Sequence, residues 1–281
     1  MLRLASPAKI NLFLRILRRR SDGYHELASL FQTIDLCDTL DYSFSHEDRL
    51  TCTDTSIPTD RNNLVLKAVD LFRRKTNLDF GVNINLEKRI PVEAGLGGGS
   101  SNAATTLWAL NQLCNRPAKL EQLIQWSGEI GSDIAFFLSQ GTAYCTGRGE
   151  ILRFLYPLQE KNLCIVKPPY GLSTPLVYRN LDALNLPQRN PETTLSEFIE
   201  GQFPCFNDLE IPAFAMMPEL ASLHSRLKSA GFSEVLMSGS GSAIFCLGEG
   251  DLSNFTDVAC FQASFINRTN HDWYGLKPKI F

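Results

Sequence analysis

The sequence contains few of the residues that build metal centres and disulfide scaffolds. Only four of its 281 residues are histidine, and its eight cysteines include no CxxC pair. Zinc sites and disulfide-rich secreted folds depend on clusters of these residues, so neither is expected here. We interpret the cysteines as reduced, mostly buried thiols of a cytoplasmic protein, and no residue is predicted to be a metal ligand.

The features of membrane and secreted proteins are missing as well. No apolar run approaches the roughly 18 residues that suggest a membrane helix. The N-terminal segment has no basic stretch followed by an apolar region and a small-residue cleavage site, so no signal peptide is predicted. We therefore expect a cytoplasmic protein that does not bind a membrane.

Neither sign of charge is in large excess, because 27 Lys and Arg residues stand against 30 Asp and Glu residues, for a net charge of −3. A broad basic surface for nucleic acid is thus excluded, and no nucleic-acid partner is expected. A small basic pocket for a phosphorylated metabolite is still compatible with this balance. The composition itself, with 44% hydrophobic and 20% charged residues, is that of a globular protein.

Strand-like and helix-like patterns follow one another along the chain, and this mixture predicts an α+β fold. The predicted strands cover residues 8–17, 27–44, 80–87, 141–155, 163–166, 233–238 and 243–247. The predicted helices cover residues 64–74, 103–114, 120–130, 193–200 and 216–230. Proline becomes frequent after residue 156, which predicts a domain boundary and two domains, 1–155 and 156–281.

A glycine-rich segment, GLGGGSS at 95–101, leads directly into a helical pattern. Glycines let the backbone approach a ligand closely, and a helix N-terminus favours an anion. Ser100, Ser101 or Asn102 can cap that helix. The segment is predicted to hold a phosphate group, the alternative being a flexible connection without a ligand. It matches neither the Walker A pattern, which needs a lysine, nor the GxGxxG dinucleotide pattern.

Two polar patterns outside this loop are candidates for chemistry. Lys9 and Asn11 lie two residues apart on the first predicted strand, so their side chains point the same way. A lysine there is costly to bury unless it meets an anion, and solvent exposure of that face is the alternative. Asp133 follows Ser132, which can cap a helix and put the carboxylate in its first turn. On this pattern alone, Asp133 either stabilises the helix or takes part in catalysis.

Two further turns carry residues that suit a nucleotide. Tyr24 and His25 follow an Asp22-Gly23 turn, and an aromatic ring beside a titratable donor and acceptor can stack on and read a flat heterocycle. A tyrosine that merely packs after a turn is the alternative. The segment SGSGS at 238–242 predicts a tight turn, which is either purely structural or a second wall beside phosphates.

Six segments taken together resemble the GHMP kinase superfamily (galacto-, homoserine, mevalonate and phosphomevalonate kinases). They are PAKINLFL at 7–14, DGYHEL at 22–27, PVEAGLGGGSSNAA at 91–104, GTAYCTGRGE at 141–150, NDLE at 207–210 and MSGSGSAIF at 237–245. The resemblance is greatest to the branch that phosphorylates a cytidine-diphosphate-linked methylerythritol in non-mevalonate isoprenoid biosynthesis. It implies an N-terminal domain like domain 2 of ribosomal protein S5, a ferredoxin-like C-terminal domain and a site in the cleft between them.

The resemblance also implies roles for individual residues in transferring the γ-phosphoryl group of ATP to a tertiary 2-hydroxyl. Asp133 would accept the hydroxyl proton, and Lys9 would stabilise charge on Asp133 and on the reacting oxygen. The residues implied to bind ATP are Asn63, Leu64, Lys88, Pro91, Val92, Glu93, Ala94, Gly95, Leu96, Gly97, Gly98, Gly99, Ser100 and Ser101. The residues implied to bind the cytidine-linked substrate are Asn11, Tyr24, His25 and Tyr178. Mg²⁺ is implied as the companion of ATP.

The chain departs from the superfamily branch at a few positions. Where the branch often reads GADVP, this chain has Ser132 and Ala135, and Ser132 as a helix cap would compensate for the missing proline. Tyr178 stands where phenylalanine is commoner and adds a hydroxyl.

Two rival functions follow from the same residues, and a third, RNA binding through the S5-like half, is disfavoured by the acidic balance. A GHMP kinase for homoserine, mevalonate or a sugar would not need Tyr24, His25 and Tyr178. A non-catalytic nucleotide-binding protein would not need both Lys9 and Asp133. A monomer or weak homodimer is expected.

Overall fold

The computed structural model describes residues 1–181, 185–269 and 271–275. Its strands are β1 (Leu2–Arg19), β2 (His25–Ser45), β3 (Arg49–Cys52), β4 (Gly81–Glu87), β5 (Thr142–Gly147), β6 (Ile151–Phe154), β7 (Asn162–Lys167), β8 (Phe206–Asn207), β9 (Glu234–Met237), β10 (Ile244–Leu247) and β11 (Ala259–Ser264). Its helices are α1 (Leu64–Thr76), α2 (Gly98–Leu113), α3 (Leu120–Ser127), α4 (Ile134–Phe137), α5 (Thr174–Arg179), α6 (Pro191–Ile199), α7 (Glu210–Met216) and α8 (Pro218–Ser229).

A long antiparallel hairpin, β1 with β2, forms the centre of the first sheet. The predicted turn at Asp22-Gly23 closes it, with Gly23 at a φ of 86° that glycine adopts without strain. The sheet order is β3-β4-β2-β1-β8. Strand β2 is long enough that its first part pairs with β5 and its last part with β4. The hairpin therefore pairs directly with β4, β5 and β8, while β3 and β6 join the sheet through β4 and β5.

Helices α1, α2 and α4 pack on one face of the first sheet. Their apolar side chains share a core with β2 and β4, in which Tyr42, Phe72, Leu107 and Phe136 are completely buried. The other face of the hairpin packs on the second sheet, where Ile10, Phe13, Leu30, Ile165 and Phe245 meet. Because the hairpin is covered on both faces, β1 is buried without interruption from residue 5 to residue 16.

The second sheet has the order β11-β7-β10-β9, and all its pairings are antiparallel. The chain passes from the first sheet to the second between β6 and β7, and returns to the first when β8 pairs in parallel with β1. The division into domains 1–155 and 156–281 stays a prediction. The predicted α+β class is confirmed, since mostly antiparallel sheets are combined with segregated helices.

Most predicted elements lie where hydrophobic periodicity placed them, but some boundaries were wrong. Helix α2 begins at Gly98 rather than at residue 103, because its first turn is formed by glycine and serine residues that carry no apolar pattern. The elements β3, β8, α5, α7 and β11 were not predicted; none is longer than seven residues, so hydrophobic periodicity has little length in which to show. Over the described ranges, no helix has the length and apolar character needed to cross a bilayer.

Candidate active site

Lys9 and Asn11 lie side by side on β1, and both are almost completely buried. The Lys9 Nζ donates a hydrogen bond of 2.6 Å to Asn11 Oδ1 and lies 3.6 Å from Asp133 Oδ2. Burial lowers the pKa of Lys9, while the neighbouring Asp133 carboxylate opposes that change. The structure thus brings a desolvated lysine to a carboxylate, and the polar face of β1 is not exposed to solvent.

Asp133 is held at the start of α4 without being used as a cap. It occupies the N-cap position of α4, and its side chain makes no capping hydrogen bond. The prediction that Ser132 caps this helix was wrong, because the chain already turns through residues 132 and 133 before the helix begins. About a third of the Asp133 side chain is exposed. Its carboxylate therefore faces Lys9 on one side and open space on the other.

The glycine segment forms a loop that enters α2 at Gly97. Gly97 is the N-cap residue and has a φ of 69°, in the left-handed region that glycine tolerates. The predicted caps Ser100, Ser101 and Asn102 were wrong, since all three lie inside the helix. Because Gly97 has no side chain to cap the first turn, the N–H groups there are left for an anion.

The inner residues of that first turn are tied to the sheet instead. Ser101 Oγ accepts a hydrogen bond of 2.8 Å from Ser6, and the Asn102 amide donates 2.9 Å bonds to Ser6 Oγ and Asp38 Oδ2. Their side chains therefore fix where α2 begins.

The close approach of Gly97 to its surroundings explains why no other residue fits. A methyl group on Gly97 would lie 2.9 Å from a Phe137 ring carbon and 3.2 Å from Lys9 Cγ. Phe137 belongs to α4, and Lys9 to β1. The glycine loop therefore touches both elements that carry the lysine and the carboxylate.

The SGSGS turn at 238–242 forms a wall against the glycine loop. Ser238 Oγ donates a 3.0 Å hydrogen bond to Gly95 O, and the backbone N–H groups of Ser242 and Ala243 donate to Glu93 O and Ala94 O. The Asn207 side-chain amide donates to Met237 O at 2.8 Å and to Gly239 O at 2.7 Å. Asn207, the first residue of the NDLE segment, thus fixes the turn at 238–242, and this turn supports the glycine loop.

Three residues implied on the adenine side lie at or near the beginning of α2. A methyl on Gly98 would lie 3.1 Å from Lys88 Nζ, and one on Gly99 would lie 3.5 Å from Leu64 Cδ1. Lys88 is ion-paired with the completely buried Asp38. Asn63 caps α1 by accepting a 2.9 Å hydrogen bond from Val65 N. Lys88 and Leu64 border the loop, whereas the side chain of Asn63 is occupied in capping.

His25 and Tyr178 lie against each other, with ring centroids 5.3 Å apart. Burial lowers the pKa of His25, and the Arg19 charge lowers it further. Burial and the nearby Asp133 charge both raise the pKa of the Tyr178 hydroxyl. The Tyr178 hydroxyl of this aromatic pair is thus close enough to Asp133 to be affected by its charge, and the lowered pKa of His25 favours the neutral imidazole. Tyr24 is more than half exposed beside this pair.

The structure adds residues that the sequence did not single out. Arg148 places its guanidinium 5.0 Å from the Tyr24 ring centroid. The next residue, Gly149, has a φ of 111°, and a methyl there would lie 3.2 Å from Asp133 Oδ1. Arg148 thus lies over Tyr24 and near Glu150, and the residue after it closely approaches Asp133. It belongs to GTAYCTGRGE, so the motif was visible, but nothing in its spacing gave the arginine a role.

A lysine and a carboxylate at the mouth of a glycine-rich anion cradle suit phosphoryl transfer to an alcohol, which depends on positioning and on charge neutralisation. Comparison with known proteins agrees. The model of the GHMP kinases N terminal domain matches residues 63–141, and that of the GHMP kinases C terminal domain matches residues 192–262. The chain therefore belongs to the GHMP kinase family, and the predicted two-domain GHMP architecture is confirmed.

Within the family, the relatives with high identity share one name. The chain is 54% identical to the 4-diphosphocytidyl-2-C-methyl-D-erythritol kinase of Protochlamydia amoebophila (strain UWE25), over 99% of this chain and 95% of that protein. It is 46% identical to the chloroplastic enzyme of that name from Oryza sativa subsp. japonica, over 97% of this chain and 73% of that protein. A crystal structure of 4-(cytidine 5'-diphospho)-2C-methyl-D-erythritol kinase superposes with a TM-score of 0.81 at 36% identity, covering 94% of this chain and 99% of that one. These similarities place the chain in that branch of the family.

Proposed function

We infer that this chain is an ATP-dependent kinase acting on 4-diphosphocytidyl-2-C-methyl-D-erythritol. It transfers the γ-phosphoryl group to the 2-hydroxyl and gives the 2-phosphate and ADP, a step of the methylerythritol phosphate pathway of isoprenoid biosynthesis. The observation that carries the proposal is the 3.6 Å approach of Lys9 Nζ to Asp133 Oδ2 at the start of α4. The names of the relatives support the substrate.

In the transfer step, the 2-hydroxyl oxygen forms a bond to the γ-phosphorus while the bond to the oxygen that bridges the β- and γ-phosphates breaks. The hydroxyl proton passes to the Asp133 carboxylate, and the bridging oxygen leaves with ADP. Lys9 is a compact positive charge in a desolvated place, where its attraction for a developing negative oxygen is stronger than in water. Asn11 keeps the ammonium group in position through its 2.6 Å hydrogen bond.

The nucleotide phosphates lie on the loop formed by residues 91–101 in this proposal. The N–H groups of the first turn of α2 supply fixed dipoles, and the turn at 238–242 stops the loop from moving away. Lys88 and Leu64 lie beside the first turn, which supports a place for them near the nucleotide.

At the other end of the site, His25 and Tyr178 receive the cytidine. A neutral imidazole offers one donor and one acceptor to the cytosine edge, which also has both. The lowered pKa of His25 favours that neutral form at pH 7. Arg148, near Tyr24, faces the diphosphate that joins the cytidine to the alcohol.

Mg²⁺ would accompany the nucleotide in this site. Among the described residues, no group of three or more His, Cys, Asp or Glu side chains is arranged to hold a metal ion. Mg²⁺ bound to ATP takes most of its ligands from phosphates and water and needs only one or two protein carboxylates. The residues present therefore fit a nucleotide-borne ion, and the chemistry it supplies is neutralisation of phosphate charge.

The proposal is tested by ADP release from the purified protein with ATP, Mg²⁺ and one alcohol at a time. The alcohols are the cytidine-linked methylerythritol, homoserine and mevalonate. Turnover with the cytidine compound alone is the expected result. Turnover with homoserine or mevalonate instead would refute the proposed substrate. No turnover with any alcohol despite ATP binding would refute the proposed kinase activity.

The proposal includes a cytoplasmic location and a monomer or weak homodimer. All eight cysteines are free thiols, which suits a reducing compartment. Sedimentation velocity across a range of protein concentrations tests the oligomeric state, and a stable larger assembly would contradict it.

A further inference from the structure

The C-terminal tail, defined as residues 265–269 and 271–275, returns from the second sheet to the first. Phe265 forms a bridge with Ile34 of β2, and Ile266 N donates a 3.0 Å hydrogen bond to Thr33 O. Arg268 N then donates to Gln140 O at 3.0 Å. The tail is therefore attached to the domain that contains Lys9 and Asp133.

Arg268 is bonded to the end of the helix that carries Asp133. Its side chain is buried, with Nε donating to Ser139 O at 2.8 Å and Nη2 donating to Leu138 O. Leu138 is the C-cap residue of α4, so these are carbonyl groups that a helix end leaves without partners. Since a helix rises about 1.5 Å per residue, the backbone of Asp133 lies only about 8 Å along the helix axis from that of Leu138.

Trp273 connects the tail to the other two elements of the site. Its Nε1 donates a 2.7 Å hydrogen bond to Ala5 O on β1, the strand of Lys9. Its ring lies 5.0 Å from that of Trp108, which belongs to α2, the helix entered by the glycine loop. The Arg268 guanidinium lies over both rings, 4.9 Å from the Trp108 centroid and 5.0 Å from the Trp273 centroid.

A buried guanidinium must be compensated, because an isolated charge away from water is costly. Carbonyl oxygens supply that compensation here, with Thr269 O and Asp272 O accepting from Nη1 at 3.1 and 3.2 Å in addition to the α4 carbonyls. Aromatic faces add cation–π attraction. These partners belong to the tail, α2 and α4, so the buried guanidinium of Arg268 links the three elements to one another.

We propose that Arg268 and Trp273 form a positioning clamp that holds β1, α2 and α4 in the relative positions that catalysis needs. The clamp thereby positions Lys9, the glycine loop and Asp133. Neither residue touches the substrate, so both are positioning residues. This inference rests on the proposed function, because its tests measure turnover of the cytidine-linked alcohol.

The primary test compares Arg268→Met with Arg226→Met in the full chain. Arg226 is a matched control, since its guanidinium also lies over an aromatic ring, that of Phe255, and also donates hydrogen bonds, to Asp257, but it lies on the surface of α8. Arg268→Met is expected to lower kcat on the order of 10²-fold, the effect of misplacing a reacting group by about 1 Å. The KM for each substrate should change less than about threefold, because the turn at 238–242 still supports the glycine loop, and Arg226→Met should leave kcat unchanged. An unchanged kcat for folded Arg268→Met would overturn the proposal.

A double-mutant cycle with Asp133→Asn separates positioning from general damage. In the Asp133→Asn background, the effect of Arg268→Met on single-turnover rates is expected to fall to about tenfold or less, because there is no base left to misplace and only Lys9 and the glycine loop can still shift. The same 10²-fold loss in both backgrounds would overturn the clamp. Failure of the wild-type chain to phosphorylate the cytidine compound would instead refute the proposed function.

Trp273→Phe keeps the test decisive if Arg268→Met does not fold. The phenylalanine keeps one aromatic ring and loses the donor to Ala5 O together with part of the ring surface that packs on Trp108 and Arg268. Roughly a fivefold fall in kcat with unchanged KM is expected, since this conservative change weakens the clamp without removing it. A rise in KM at constant kcat would contradict the clamp.

Discussion

Gly95→Ala separates the glycine loop from the turn that supports it, and the structure gives the size of the effect. The Cβ would lie 1.9 Å from Ser238 O, against an ordinary contact of 3.4 Å or more, so the two backbones must separate by about 1.5 Å. The φ of 71° at Gly95 adds about 1–2 kcal/mol of left-handed strain. The separation also weakens the hydrogen bonds to Glu93 O, Ala94 O and Gly95 O, each worth about 1 kcal/mol. We expect the free energy of unfolding to fall by about 3–5 kcal/mol.

The displaced loop also loses its alignment with the nucleotide, so the KM for ATP should rise at least about tenfold, a loss of about 1.4 kcal/mol in binding. Urea unfolding and ADP release measure the two effects. Gly201→Ala is the matched control, since its φ is 88° and no heavy atom lies within 4 Å of an added methyl. For Gly201→Ala, the free energy of unfolding should fall only by the roughly 1–2 kcal/mol of left-handed backbone strain. Equal unfolding free energies for the two variants, with the same KM for ATP, would refute the reasoning.

Three further predictions concern other parts of the molecule. His25→Ala should raise the KM for the cytidine compound about tenfold, the loss of one or two hydrogen bonds, with the KM for ATP unchanged; equal changes in both KM values would contradict a cytosine contact. Arg148→Met should raise the KM for the cytidine compound several-fold and make it less dependent on salt, as expected for a lost contact with a charged diphosphate; an unchanged salt dependence would exclude that contact. Burial raises the pKa of the Glu210 carboxyl group from 4.5 to about 7, so the folded state binds the carboxyl proton more tightly than the unfolded state does. The stability it contributes is fully present below pH 4.5 and is lost as pH rises through about 7, a change of about 3 kcal/mol. Glu210→Gln keeps an acceptor for Met237 N and should flatten that dependence in urea unfolding between pH 5 and pH 8; an unchanged slope would show that Glu210 is not its source.

The parts of the site that were predicted lie within short segments of the chain. Alternation along the first strand put Lys9 and Asn11 on one side, and their 2.6 Å hydrogen bond follows from that spacing. The glycine segment predicted a cradle at a helix N-terminus because glycine content and helical periodicity adjoin there. The approach of Lys9 to Asp133 joins distant segments, and only the family resemblance predicted it.

What the sequence did not predict depends on contacts between distant residues. The wrong capping predictions at Ser132 and Ser100 arose because a favourable residue type does not fix where a helix starts when glycine or a preceding turn governs the backbone. Arg148 stacks on a tyrosine far away in the sequence, and Arg268 bonds to carbonyl groups of α4. Carbonyl groups carry no side-chain signal, so no local pattern could have revealed the role of Arg268.

The central claim is that Asp133 accepts the proton of the hydroxyl that Lys9 helps to activate. Asp133→Asn keeps the size of the side chain and removes its basicity. In single-turnover assays with saturating ATP and the cytidine compound, we expect phosphoryl transfer to slow by about 10²–10⁴-fold, the usual contribution of a general base. The Kd for ATP from calorimetry should stay within about threefold. Transfer within tenfold of the wild-type rate, or a parallel loss of ATP binding, would contradict the account.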